Sequence, residues 1–290
     1  MSFRDFSNNS KVELTYKKMI QNQTSKYVSN MKRLYQLPPF VKETIWNMMD
    51  LMNNIYDDSD PDTSNSQLIH SFQTGEELSS KLVYTQLKQI RIKDIFGREQ
   101  IEYEYPEYLH QLYSIIDWSW LPLVGFIHDM GKVLLLEDLG KLEQWSVVGD
   151  TFPIDTILDD NFPYSKYKNT NKSLSTDIHK EGCGFDNINF SWGHDEYLAQ
   201  VIERSQHSLP PEAIYLIRYH SFYSWHSPRN GKRGYCKFAS QKDWKMLPLL
   251  KLFSQCDLYS KKNGLMCQSE LIKKYRRLYN TFFKTDTLEW

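Results

Sequence analysis

No stretch of this chain is apolar over the roughly 18 residues that a membrane-spanning helix requires, and the opening Met1-Ser2-Phe3-Arg4-Asp5-Phe6 lacks the apolar core of a signal peptide. The expectation is a soluble chain that works in the cytoplasm, away from membranes. The four cysteines, Cys183, Cys236, Cys256 and Cys267, have no CxxC spacing. That argues against common zinc and redox motifs and suits buried, reduced thiols. The formal net charge is −1, so no bulk field favours nucleic acid or an anionic surface. There is no internal repeat, low-complexity tract or clear linker. One domain over residues 1–290 is expected, acting as a monomer on a small molecule.

What is present suits a sizeable core: 40% of residues are hydrophobic and 14% aromatic, against 24% charged. Residues 1–10 read as loop. Val12, Tyr16, Met19, Ile20, Tyr27 and Met31 recur at helical spacing and predict one long helix over 11–35, ended by Pro38-Pro39. Ile45, Met48, Met49, Met52 and Ile55 predict a second over 41–56, its methionines packing a core. Further helices are predicted at 67–82, 108–116, about 188–205, from Pro210-Pro211 to His220, and at 269–282. Ser240 with Asp243 three residues on resembles a capping box opening a helix through Asp257. Ile90-Arg91-Ile92 and Ile101-Glu102-Tyr103-Glu104-Tyr105 alternate in polarity across Gly97, which predicts a small β-hairpin near 89–105. The fold class is mainly α: a single-domain helical bundle with that hairpin.

The chain is organised around Trp120-Leu121-Pro122-Leu123-Val124-Gly125-Phe126-Ile127-His128-Asp129-Met130-Gly131-Lys132, an apolar run that ends in a His-Asp pair. On a helix His128, Asp129 and Lys132 converge at one end of a buried rod. An imidazole and a carboxylate there suit a metal cation. A lysine beside a cation makes sense only if something anionic lies between them, such as a substrate oxygen. By themselves these residues read equally well as a capped helix end. His70, His128, His194 and His220 all sit in apolar helical contexts, whereas His110, His179, His207 and His226 lie in polar or loop contexts and read as surface residues. Asp257 lies on an otherwise apolar face, where a carboxylate is costly unless paired or coordinated. Six such donors are too many for one catalytic metal with open positions. The acidic run Asp57-Asp58-Ser59-Asp60-Pro61-Asp62 is either a solvated loop or a surface facing a polyol or a metal.

The order His70…His128-Asp129…Asp257 resembles the HD-domain superfamily of helical metalloproteins. More specifically, Asp58-Ser-Asp-Pro-Asp62, His128-Asp-Met-Gly-Lys132, Trp145-Ser-Val-Val-Gly-Asp-Thr-Phe-Pro153, Ser191-Trp-Gly-His-Asp-Glu-Tyr197, Ser208-Leu-Pro-Pro-Glu-Ala213, His220-Ser-Phe-Tyr-Ser-Trp-His226, Asp257-Leu-Tyr259 and the final Trp290 resemble, in order, the signatures of the myo-inositol oxygenase family. The resemblance implies a non-haem oxygenase with two iron ions, Fe(II) and Fe(III), that cleaves myo-inositol with O2 as co-substrate to give D-glucuronate. By position it implies that His70, His128 and Asp257 bind one iron and His194 and His220 the other, with Asp129 bridging. It also implies that Arg4, Asp57, Asp58, Ser59, Lys132, Gly149, Asp150 and Ser221 contact substrate, with Asp129 and Lys132 closest to the chemistry. Relative to the family, an extra segment is expected at about 82–117, and Gly75 replaces the usual alanine.

An HD-type phosphohydrolase acting on a phosphate ester is the alternative from another class. It calls for clustered basic residues to hold phosphate, whereas the candidate pocket pieces are acidic with Arg4 and Lys132 as the main cations. A homologue reduced to a binding module is disfavoured because all six ligand positions are filled.

Overall fold

A computed structural model describes residues 6, 10–36, 41–60, 66–95, 118–167, 179–228, 232–259 and 268–290. As the apolar periodicity predicts, helices dominate. They are α1 (Ser10–Asn22), α2 (Ser25–Gln36), α3 (Ile45–Leu51), α4 (Gln67–Ile95), α5 (Leu121–Ile127), α6 (His194–Arg204), α7 (Pro211–Tyr219), the single turn α8 (Tyr223–His226), α9 (Gln241–Tyr259) and α10 (Gln268–Phe282). Two short strands, β1 (Lys42–Thr44) and β2 (Thr287–Glu289), pair antiparallel with Glu43 opposite Leu288. They tie the end of the chain to the start of α3, and the Trp290 indole N–H donates to the Glu43 carbonyl at 3.0 Å. Among the described residues no helix is long and apolar enough to cross a membrane.

Several local expectations change, among them that of His226, read as a surface residue but buried, its Nε2 2.8 Å from the His220 carbonyl oxygen. The long helix expected over 11–35 breaks after Asn22. Thr24 Oγ1 accepts the Tyr27 N–H at 3.2 Å, so a side-chain cap opens α2 in a new direction. The helix expected over 41–56 begins only at Ile45, where Thr44 Oγ1 caps it by accepting the Asn47 N–H at 3.1 Å. The hairpin expected near 89–105 is not formed over 89–95, because α4 continues through Ile95. Val83, Leu87 and Ile90 also fit the helical period, and an alternation over three residues cannot outweigh it. The rest of that hairpin and the helix expected at 108–116 lie outside the described residues. The capping box is as expected: Asp243 Oδ2 accepts the Ser240 N–H and hydroxyl, each at 2.7 Å.

The core lies between α4 and α5, whose mutual contact is the most extensive, and extends through α6, α7, α9 and α10. Phe126 of α5 stacks on Tyr275 of α10 with ring centroids 4.3 Å apart. Every residue of α5 is buried, so α5 is the rod around which the others pack, and Pro122 in its first turn costs it no internal hydrogen bond. A second, smaller cluster of Phe6, Val12, Tyr16, Met19, Phe152 and Phe162 holds α1 over the loop that precedes α6.

Two close approaches set the geometry. A Cβ on Gly75 would lie 2.2 Å from the Tyr275 hydroxyl and 3.0 Å from the Pro122 carbonyl oxygen. A Cβ on Gly131 would lie 2.1 Å from the backbone oxygen of His194 and 2.8 Å from its Cα. The first obstacle is the end of a side chain, and the second is backbone. Gly75→Ala should therefore lower stability by about 1–3 kcal/mol, the usual scale of overpacking, partly offset by alanine's better helix propensity. Gly131→Ala should cost more, because α6 must move bodily. Thermal denaturation of the two variants checks the order, and a smaller loss for Gly131→Ala would contradict it.

Candidate metal centre

The site is built at helix ends. His70 stands in the first turn of α4, and His128 and Asp129 follow the last turn of α5. His194 opens α6, His220 follows α7, and Asp257 lies in the last turn of α9. The chain after α5 tightens into a 3-10 turn over Met130–Leu135. Its three-residue repeat eclipses residues i and i+3, which brings Lys132 Nζ to 2.9 Å from Asp129 Oδ2.

Three of the four histidines are oriented by the backbone. His128 Nδ1 lies 2.7 Å from the Gly125 carbonyl, His194 Nδ1 2.7 Å from that of Val147, and His220 Nδ1 2.8 Å from that of Ile217. A carbonyl only accepts, so each Nδ1 carries hydrogen and each neutral ring presents its Nε2 lone pair inward. This is the usual second-contact arrangement of metal-ligating histidine. Gln23 adds a tether at the α1–α2 break: its amide donates to the Trp192 carbonyl at 2.7 Å and accepts the Trp192 N–H at 3.0 Å. That fixes the chain two residues before His194.

These side chains form two groups around one carboxylate. On one side His70 Nε2 lies 2.7 Å from Asp257 Oδ1, and His128 Nε2 lies 3.4 Å from the same oxygen. Asp129 turns Oδ2 to this side, 3.5 Å from His70 Nε2 and 3.4 Å from His128 Nε2. On the other side His194 Nε2 and His220 Nε2 are 3.2 Å apart. Asp129 turns Oδ1 to them, at 3.2 and 3.6 Å. His70, His128, Asp129, His194, His220 and Asp257 are all buried.

The donor set fits cations. Two Nε2 lone pairs facing each other across 3.2 Å repel unless something positive lies between them. Nitrogens at right angles about one ion, each about 2.1 Å from it, are about 3.0 Å apart. Among the described residues, the carboxylates of Asp57, Asp60, Asp129, Asp150, Asp195 and Asp257 outnumber the one ammonium, that of Lys132, an excess of negative charge when the imidazoles are neutral. Burial raises the carboxylate pKa of Asp129, but His128 and Lys132 hold it well below the usual range. Burial raises the Asp257 carboxylate as well, but the His128 and His70 imidazoles, when they carry a proton on Nε2, hold it well below that range. Burial disfavours charge on His194, yet Asp195 and Asp129 push its pKa up to about 10. The pocket thus selects for positive charge, carried by protons or by metal ions.

Beside this cluster lies a cavity lined by Tyr16, Asp57, Ser59, Asp60, Lys132, Gly149, Asp150, Ser221 and Tyr223. Asp57, Ser59, Lys132, Gly149, Asp150 and Ser221, all singled out from sequence, are therefore brought together. Asp58 is turned elsewhere: its carboxylate pairs with Lys11 Nζ of α1 at 2.6 Å and does not line the cavity. Arg4 lies outside the described residues. The loop carrying Gly149 and Asp150 is held in place because the Thr151 N–H donates to the Ser221 carbonyl at 3.0 Å and the Ser191 N–H to that of Phe152 at 2.8 Å.

Sequence reasoning missed four residues here. The Tyr16 hydroxyl donates to Asp150 Oδ1 at 2.6 Å, and that of Tyr223 to Asp257 Oδ2 at 3.2 Å. Gln67 Oε1 accepts from Lys132 Nζ at 2.9 Å. Asp195 Oδ1 lies 2.9 Å from His194 Nε2, while its Oδ2 accepts the Thr151 hydroxyl at 2.7 Å. A signal existed for Asp195, since His194-Asp195 repeats the His128-Asp129 pair. Tyr16 was hidden within an apolar stripe, and Gln67 carries no motif.

Comparison with known proteins agrees with this arrangement. The family model described as myo-inositol oxygenase matches residues 9–93 and 100–290. Inositol oxygenase 1 of Arabidopsis thaliana is 33% identical over 300 residues, covering 100% of this chain and 84% of the plant protein. Inositol oxygenase of Dictyostelium discoideum is 33% identical, with 99% and 89% covered. The human inositol oxygenase is 33% identical, with 97% and 88% covered. A helical scaffold, four inward-facing histidines around a central carboxylate and a match along nearly the whole chain lead to one conclusion: this chain belongs to the myo-inositol oxygenase family.

Proposed function

We propose that this protein is an inositol oxygenase that uses O2 to open the ring of myo-inositol, giving D-glucuronate, at a centre of two iron ions, Fe(II) and Fe(III). In this assignment His70, His128 and Asp257 hold one ion and His194 and His220 hold the other. Asp129 bridges them, and the observation that carries this is its two oxygens facing two separate sets of imidazoles. When bound, the irons supply O2 activation and acidify a coordinated hydroxyl.

The chain's own residues bind and orient the substrate. A cyclitol is uncharged and densely hydroxylated, and its recognition needs acceptors and donors at close spacing. Asp150, fixed by Tyr16, and Ser59 and Ser221 offer these along the cavity wall. Asp57 shapes the same wall: Oδ1 accepts from the Ser59 N–H at 2.8 Å and hydroxyl at 2.5 Å, and Oδ2 from Lys132 at 2.8 Å. Burial disfavours charge on Lys132, but Asp129 and Asp57 hold its pKa above the usual lysine range. It therefore stays an ammonium that can bond a substrate oxygen of developing negative charge without accepting its proton. Arg4 and Gly149 complete the proposed substrate set. Phosphate-ester hydrolysis is poorly supported, since Lys132 is the only lysine or arginine among the described cavity residues and already faces two carboxylates.

The purified chain should hold about two irons and consume O2 with myo-inositol while glucuronate forms. An oxygen electrode with product analysis checks this across a panel of inositol isomers. Phosphate release from esters, with no O2 uptake on any cyclitol, would sink the assignment. His194→Ala should retain about one iron, keep most of its helix content by circular dichroism and lose turnover by two or more orders of magnitude, because histidines supply two of the three proposed ligands of that ion. Wild-type iron content and rate in that variant would show the ligand set to be wrong.

A further inference from the structure

Among the described residues Lys132 is the cation of the cavity wall, and the structure gives its ammonium three acceptors: Asp57 Oδ2 at 2.8 Å, Asp129 Oδ2 at 2.9 Å and Gln67 Oε1 at 2.9 Å. An ammonium has three N–H donors. A substrate oxygen can thus be received only when one of the three acceptors lets go. They are unequal. Bonds to Asp57 and Asp129 join opposite charges, and such bonds are roughly twice as strong as those to a neutral group. Gln67 is neutral. It is 2% exposed, stands at the first position of α4, and does not line the cavity. Its bond therefore draws one N–H of Lys132 towards α4 and away from the cavity. Because Nζ cannot accept, the amide must present its oxygen here.

We propose that Gln67 is a positioning residue that parks the third N–H of Lys132 while the cavity lacks substrate and yields it to a substrate oxygen on binding. This inference rests on the inositol oxygenase assignment. A neutral amide is suited to the task. It satisfies a buried N–H that would otherwise have no acceptor, yet it is the weakest of the three partners, so exchange occurs there. A carboxylate at this position would hold the ammonium too firmly, and an aliphatic side chain would destabilise the substrate-free state alone.

The two substitutions should therefore shift substrate affinity in opposite directions. Binding of labelled myo-inositol to the iron-loaded chain, measured by equilibrium dialysis without O2, should show Gln67→Leu with a Kd about fivefold lower than wild type and Gln67→Glu with one about fivefold higher, the scale of one neutral hydrogen bond lost or strengthened. A fixed anchor predicts that both variants bind more weakly. Shifts of Kd in the same direction, or no shift in either, overturn the proposal. Should Gln67→Glu fail to fold, Gln67→Asn takes its place. Its shorter reach should lower Kd as Gln67→Leu does, and a raised Kd there overturns the proposal. A wild-type chain that neither binds nor oxidises myo-inositol overturns the oxygenase assignment and this inference with it. A wild-type chain that does both, with same-direction shifts in the variants, overturns the inference alone.

Discussion

Asp129 presents one carboxylate oxygen to His70 and His128 and the other to His194 and His220, all in the protein interior. Such a charge cannot be buried without compensation, and much of the fold serves to provide it. Six donors arrive from the ends of α4, α5, α6, α7 and α9, so five helices must meet at one point. Backbone carbonyls at Gly125, Val147 and Ile217 hold three of the rings, which turns secondary structure directly into imidazole orientation. The absence of a Cβ at Gly131 lets the backbone of α6 lie against the turn that carries Asp129.

The same carboxylate links the candidate metal centre to the cavity beside it. Asp129 Oδ2 accepts from Lys132, and Lys132 in turn bonds Asp57 and Gln67. A chain of charge-assisted bonds therefore runs from the proposed bridge to the cavity wall. Asp150, which also lines the cavity, is held by Tyr16, which belongs to the small cluster that seats α1 on the body of the protein. α1 thus reaches the cavity through a single phenol while its own packing is largely separate from the main core.

Helical periodicity was legible because buried faces repeat along the chain, and the donor residues stood out because imidazoles and carboxylates are costly on apolar faces. The failures have local causes. The break between α1 and α2 depends on Thr24 capping and on Gln23 reaching Trp192, a contact across the fold. Ile90-Arg91-Ile92 fits both periods, and continuity with the preceding turns decides for helix. Asp58 belongs to the family motif, yet Lys11 draws it towards α1. Gln67 and Tyr16 are ordinary residues in ordinary helices, and only the position of Lys132 and Asp150 gives them a role.

By itself the sequence determined a mainly helical chain, six imidazoles and carboxylates in apolar contexts and the family to which the chain belongs, because composition, period and motif order are properties of neighbours along the chain. The tertiary structure decided how those donors divide around Asp129, which acids face the cavity, and what satisfies Lys132. Those outcomes depend on distances of about 3 Å between residues far apart in sequence, at which a hydrogen bond or ligand contact forms or fails. Helix packing fixes such distances, and no local pattern encodes them.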